Sequence, residues 1–132
     1  MNPNSSPNDQ VTMGDATTHV AQLKEIVQTF VDQRNWRQFH SPKNLSMALA
    51  AEAGELLEEF QWLSETESQR MDQAKKLDVS LEMADILLYL IRMADVLEID
   101  LIEVSHKKIA LNNTKYPVAS SKGNSQKFSK LK

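Results

Sequence analysis

Residues 74–98 read AKKLDVSLEMADILLYLIRMADVLE. Leu77, Leu81, Ile86, Leu87, Leu88, Leu90, Ile91, Val96 and Leu97 recur at helical spacing and wrap nearly the whole circumference of the helix they imply. A helix this apolar has to be covered on most of its sides. One polar strip interrupts it. Asp78, Glu82, Asp85, Tyr89 and Arg92 follow one another at three- and four-residue steps and so share a single face.

Three further helices flank this one. Residues 17–33 carry Val20, Leu23, Val27, Phe30 and Val31 on one stripe. Residues 35–41 connect, and Ser41-Pro42 supplies a capping hydroxyl followed by a helix-starting proline, which predicts a second helix over 42–63. The polar run SETESQRMDQ (64–73) breaks the pattern before the 74–98 helix. Asp100 then caps a fourth helix over 101–113, and Lys115-Tyr116-Pro117 closes it. No alternating strand pattern occurs. The expected architecture is all-α, a four-helix bundle-like subunit. Four short helices cover the 74–98 segment poorly, so completion by oligomerisation is expected. Residues 1–16, polar and aperiodic, are expected as a disordered arm, 17–118 as the folded domain, and 119–132 as a flexible basic tail.

The second helix places carboxylates where they do not belong. Leu45, Ala48, Leu49, Leu56, Phe60 and Leu63 form its apolar stripe, and Glu52, Glu55 and Glu59 fall on that stripe. Inward carboxylates are costly unless paired or bound to metal. Glu52-x-x-Glu55 and Glu82-x-x-Asp85 each put two carboxylates on one helical face. If the two faces meet, four carboxylates converge into an oxygen-only site suited to Mg²⁺, with Mn²⁺ as the alternative. The competing reading makes each pair a solvated face. Glu58 points away from the stripe. Glu59 reads either as an auxiliary ligand or as a neighbour whose own pKa is tuned.

Composition narrows the function. The chain has 132 residues and a formal charge of −3, which argues against broad nucleic-acid binding but not against a nucleotide whose phosphates a metal neutralises. With no cysteine, thiolate metal sites and cysteine nucleophiles are excluded. The N-terminus lacks the apolar segment of a secretory signal, and no run is long enough for a membrane span, so a cytoplasmic location is expected.

Four blocks, in order, carry a resemblance: NWRQFHSPKNL (35–45), EAGELLEEFQW (52–62), EMADILLYL (82–90) and KKIALNNTKYP (107–117). Together they resemble the MazG-like all-alpha nucleoside triphosphate pyrophosphohydrolases, and within them the dCTP pyrophosphatase branch. The resemblance implies a helical subunit in a dimer or dimer of dimers. It implies Mg²⁺-dependent cleavage of a nucleoside triphosphate, dCTP or a modified dCTP, to the monophosphate and pyrophosphate. By the match, Glu52, Glu55, Glu82 and Asp85 take the metal-binding and catalytic places. Trp36, His40, Trp62 and Tyr89 fall around base and sugar. Lys108, Asn112, Lys115 and Tyr116 fall around the phosphates and sugar.

Several of these positions also admit blander readings. Lys108, Asn112 and Lys115 share a helical face, as phosphate binders or as a solvated basic helix end. Trp62 is a pocket residue or simply core. Trp36 lies in a polar connection, an odd place for a core indole, and stacking on a base is a reasonable use. His40 is a pocket residue or a neighbour of the Ser41 cap. Glu55 is a candidate acceptor for a water proton. Two other functions fit in part: a pyrophosphohydrolase for dUTP or phosphoribosyl-ATP, and a non-enzymatic helical adaptor, which leaves the inward carboxylates unexplained.

Overall fold

The computed structural model describes residues 13–131. Six α-helices follow in order: α1 (Val20–Gln33), α2 (Pro42–Glu58), α3 (Glu65–Ser68), α4 (Gln73–Val96), α5 (Leu101–Lys115) and α6 (Val118–Ser121). Two 3-10 turns, Arg37–Phe39 and Phe128–Lys130, complete the order, and no strand occurs among the described residues. No helix among them is long and apolar enough to cross a membrane.

The helix starts follow the capping residues. Ser41 accepts the Asn44 amide at 3.2 Å, Asp72 that of Lys75 at 2.8 Å and Asp100 that of Glu103 at 2.9 Å. Each satisfies one amide that the first turn leaves without a partner. The expected long second helix is shorter: α2 ends at Glu58, and residues 59–64 form turns before Ser64 and Glu67 cap the short α3 reciprocally. A capping box inside the polar run wins over continuation of the helix.

α1 and α4 end alike. Past α1, Asn35 takes a left-handed φ of 52° while Trp36 N–H donates to Val31 O at 3.1 Å. Past α4, Glu98 takes φ of 55° while Ile99 N–H donates to Ala94 O at 2.8 Å. Both are Schellman closures. The first turns the chain so that Trp36 returns towards α1.

α4 packs most extensively on α2, and α1 packs on α4. The buried apolar core is small: Val31, Leu45, Val79, Ile91 and Ala94, with Leu45 and Ile91 1% exposed. Much of the apolar circumference of α4 stays open, Leu77 at 60% and Leu81 at 55% exposure. α5 buries no residue and makes no extensive contact with another helix, although Lys24 Nζ reaches Ile99 O at 2.8 Å just before it.

The expected arm over 1–16 lies outside the described residues except for 13–16, where Gly14 O accepts the amides of Thr17 and Thr18 at the start of a turn. The segment from 119, expected as a flexible tail, holds part of α6 and a 3-10 turn. Phe128 sets its ring edge-on to Tyr116 at 6.2 Å, with Lys115 Nζ 5.2 Å from the same ring.

Candidate metal and nucleotide site

Because α2 and α4 pack face to face, their acidic strips meet. Glu52, Glu82 and Asp85 each offer a carboxylate oxygen, and these lie within 4.8 Å of one another. Glu82 Oε2 is buried without a hydrogen-bond partner. Burial raises the Glu82 pKa from its ordinary value, and the negative charges of Glu55, Glu52 and Asp85 raise it further, with a hydrogen bond to Glu55 adding to the effect. Burial likewise raises Glu52, followed by Glu55 and Asp85. Glu55 therefore sits against the triad as its fourth carboxylate. Three or four acidic groups crowded together, one with an orphaned buried oxygen, is the electrostatic setting a hard divalent cation relieves. The donor set is oxygen only, which fits Mg²⁺ or Mn²⁺ and disfavours softer metals.

Glu59 has a different fate. It is ion-paired with Lys75 of α4, part-buried, and takes no part in the triad. Neither sequence reading anticipated this pair, which braces the end of α2 against α4.

Beside the triad lies a cavity of about 340 Å³. Glu52 and Asp85 form its acidic end, while Val27, Phe30 and Leu88 form its apolar wall. Trp36, His40, Tyr89 and Arg92 also line it. Trp36 is held edge-on by Phe30 at 5.7 Å and by His40 at 6.4 Å. Arg37, one residue on, clamps Asp32 through both its Nε and its Nη2, which pins the connection to α1. The His40 pKa is lowered from its ordinary value by burial and then by the Arg92 charge, which favours the neutral ring.

One chain thus brings Glu52, Glu55, Glu82, Asp85, Trp36, His40 and Tyr89 to one place. It does not bring the others there. Trp62 is 87% exposed beyond α2, and Lys108, Asn112 and Lys115 are exposed along α5, none of them lining the cavity. Tyr116 instead meets Phe128. The structure adds Arg92 to the site; its place at the end of the polar strip of α4, one turn beyond Tyr89, is the signal the sequence carries for it. It is 5% exposed and lines the cavity. Phe30, on the apolar stripe of α1, also faces the cavity.

The fold and site together define an all-helical protein with an interhelical carboxylate cluster opening into an aromatic cavity. The profile of the MazG-like family matches residues 47–131, and the chain belongs to that family. The match runs through the segment expected as a tail. Over 111 residues, 83% of the chain, it is 36% identical to mouse dCTP pyrophosphatase 1 and 32% identical to the human protein of that name. It spans about 65% of the length of these curated relatives. A pyrophosphatase from Archaeoglobus fulgidus superposes with a TM-score of 0.72 at 38% identity, over 80% of this chain and 99% of that one.

Proposed function

We propose that the chain hydrolyses a deoxynucleoside triphosphate, dCTP or a modified dCTP, to the monophosphate and pyrophosphate, with Mg²⁺ held by Glu52, Glu82, Asp85 and Glu55. The carrying observation is the carboxylate triad at the end of a cavity lined by Trp36, His40 and Tyr89. The names of the relatives point the same way. A helical adaptor has no use for clustered carboxylates facing a cavity.

When bound, the metal neutralises triphosphate charge and makes water a better nucleophile. The chain's residues supply placement, which dominates phosphoryl-transfer chemistry. Trp36, with Tyr89 lining the same cavity, receives the base by stacking, and the apolar wall keeps water off it. The acidic end then faces the phosphates. A water oxygen bonds to the α-phosphorus, the bond from that phosphorus to the α–β bridging oxygen breaks, and its electrons leave with pyrophosphate. Glu55, adjacent to the triad and exposed, takes the water's proton.

The open apolar faces of α4 and α5 support a homodimer or homotetramer. In such an assembly Trp62 and the Lys108–Asn112–Lys115 face are free to complete a neighbouring site, which gives these residues the substrate roles the family resemblance implies. Pyrophosphate release from a panel of deoxynucleoside triphosphates, with EDTA and with Mg²⁺ restored, tests the reading. Mg²⁺-dependent release from dCTP is expected; full activity in a metal-stripped sample, or no release from any of the panel, overturns it.

A further inference from the structure

Arg92 is nearly sealed inside the subunit, and its bonds form a directed chain. Its Nη1 donates to Asp95 Oδ2 and to Gln28 Oε1, each at 2.9 Å, and its Nε donates to His40 Nδ1 at 3.2 Å. A buried guanidinium needs such partners, because an unpaired charge there is costly. The polarity of the chain is determined at every link. Arg37 can only donate, and it donates to Asp32. The Asp32 carboxylate can only accept, so Gln28 turns its amide NH₂ to it, at 3.1 Å from Oδ2. Gln28 Oε1 is thereby presented to Arg92. Arg92 has no acceptor atom, so its Nε–H requires the lone pair of His40 Nδ1. The proton of the neutral ring then sits on Nε2. Among the described residues Nε2 has no protein partner, and His40 lines the cavity.

We propose that Arg92 is a positioning residue that holds His40 as its Nε2–H tautomer, so that the cavity offers a base one fixed hydrogen-bond donor. This rests on reading the cavity as the base pocket. A fixed donor suits a ring edge made of acceptors, such as N3 and O2 of cytosine, and opposes an edge that itself donates, such as N3–H of uracil or thymine. A ring free to change tautomer would accommodate either edge. Lowering of the His40 pKa by burial and by Arg92 agrees, since it disfavours the doubly protonated ring.

The test is the nitrogen signature of the imidazole in the full chain, labelled with ¹⁵N-histidine and without nucleotide. His40→Ala assigns the signal among His19, His40 and His106. The wild type is expected to show His40 with the proton on Nε2 at pH 7, and Arg92→Met to show mixed tautomers or an imidazolium. Gln28→Ala, which loosens Arg92 without removing it, is expected to shift the same signal part-way and serves if Arg92→Met does not fold. Kinetics add a second readout. Gln28→Ala should raise KM for dCTP about threefold to tenfold, the size of one weakened hydrogen bond, with a smaller change in kcat. A mere brace would lower melting temperature and leave KM alone. Proton on Nδ1 in the wild type, or a His40 signal indifferent to both substitutions, overturns the proposal. If no triphosphate is cleaved the functional reading falls, while the nitrogen signature still decides this one.

Discussion

Arg92 Nε donates to His40 Nδ1 at 3.2 Å and so joins the polar strip of α4 to the connection that carries Trp36. Cavity and carboxylate cluster are thus parts of one unit. Asp85 and Tyr89 lie on the turns of α4 just before Arg92, and a displacement of α4 would move the acidic end and the aromatic wall together.

Charge crowding at the cluster has a consequence for stability. The Glu82 pKa is raised in the folded chain, so its contribution is fully present below the unfolded value of about 4.5 and is lost as pH rises through the folded value. The metal-free protein should therefore gain in melting temperature from Glu82→Gln at pH 7, and the gain should shrink towards pH 4.5. Mg²⁺ should raise the melting temperature of the wild type more than that of the variant. Calorimetry with EDTA and with Mg²⁺ measures both. A large fall for the metal-free variant at pH 7 would mark Glu82 as a structural partner instead.

Glu98 offers a test free of the site. Its φ of 55° places a side chain where glycine is at ease, and Glu98 is exposed. Left-handed backbone costs an L-residue roughly 1–2 kcal/mol, part of which glycine's greater unfolded freedom offsets. Glu98→Gly should stabilise by about 0.5–1 kcal/mol, a rise of a few degrees in melting temperature, with pyrophosphate release unchanged. A lower melting temperature would mean that the glutamate side chain contributes more than its backbone costs.

The helices and the carboxylate strips were legible because each is a periodicity within one segment, and two periodic faces that both need covering meet. Glu59 was ambiguous for the same reason: spacing puts it on the strip, and only the position of Lys75 on α4 decides its partner. Gln28 was out of reach, because it breaks no pattern and its importance comes from facing Arg92 in space, at 64 residues' separation, whereas Asp95 lies one helical turn from Arg92 on the same face. The place of Trp62 and of α5 is not written in one chain's periodicity either, since a surface left open by one subunit is indistinguishable from a solvated one.

That open surface carries its own expectation. Leu77, Leu81 and Met83 on α4 and Ile102, Ile109 and Leu111 on α5 are each more than half exposed, more than a single subunit can conceal. Sedimentation at micromolar concentration should show a dimer or a tetramer. Leu81→Glu should shift it towards smaller species and lower activity if neighbouring copies complete the site. A stable, soluble, active monomer rules this out.

Substrate choice follows from how the cavity is closed. Trp36 is held on edge by Phe30 and His40, so its position is set before any ligand arrives. Stacking on an aromatic ring is worth about 1–3 kcal/mol per base and tolerates every base. Trp36→Ala should therefore raise KM for all substrates, by roughly one order of magnitude or more at about 1.4 kcal/mol per decade. Selectivity has to come from a directional group, and His40, with its ring oriented by Arg92, is such a group on the cavity wall beside Tyr89. His40→Ala should narrow the gap between dCTP and dTTP or dUTP while leaving part of the affinity from stacking in place. Steady-state kcat/KM for dCTP, dTTP, dUTP, dATP and dGTP with the wild type and both variants separates the two effects. Equal cleavage of purines and dCTP by the wild type would show that the cavity does not select a pyrimidine, although the metal chemistry could still stand.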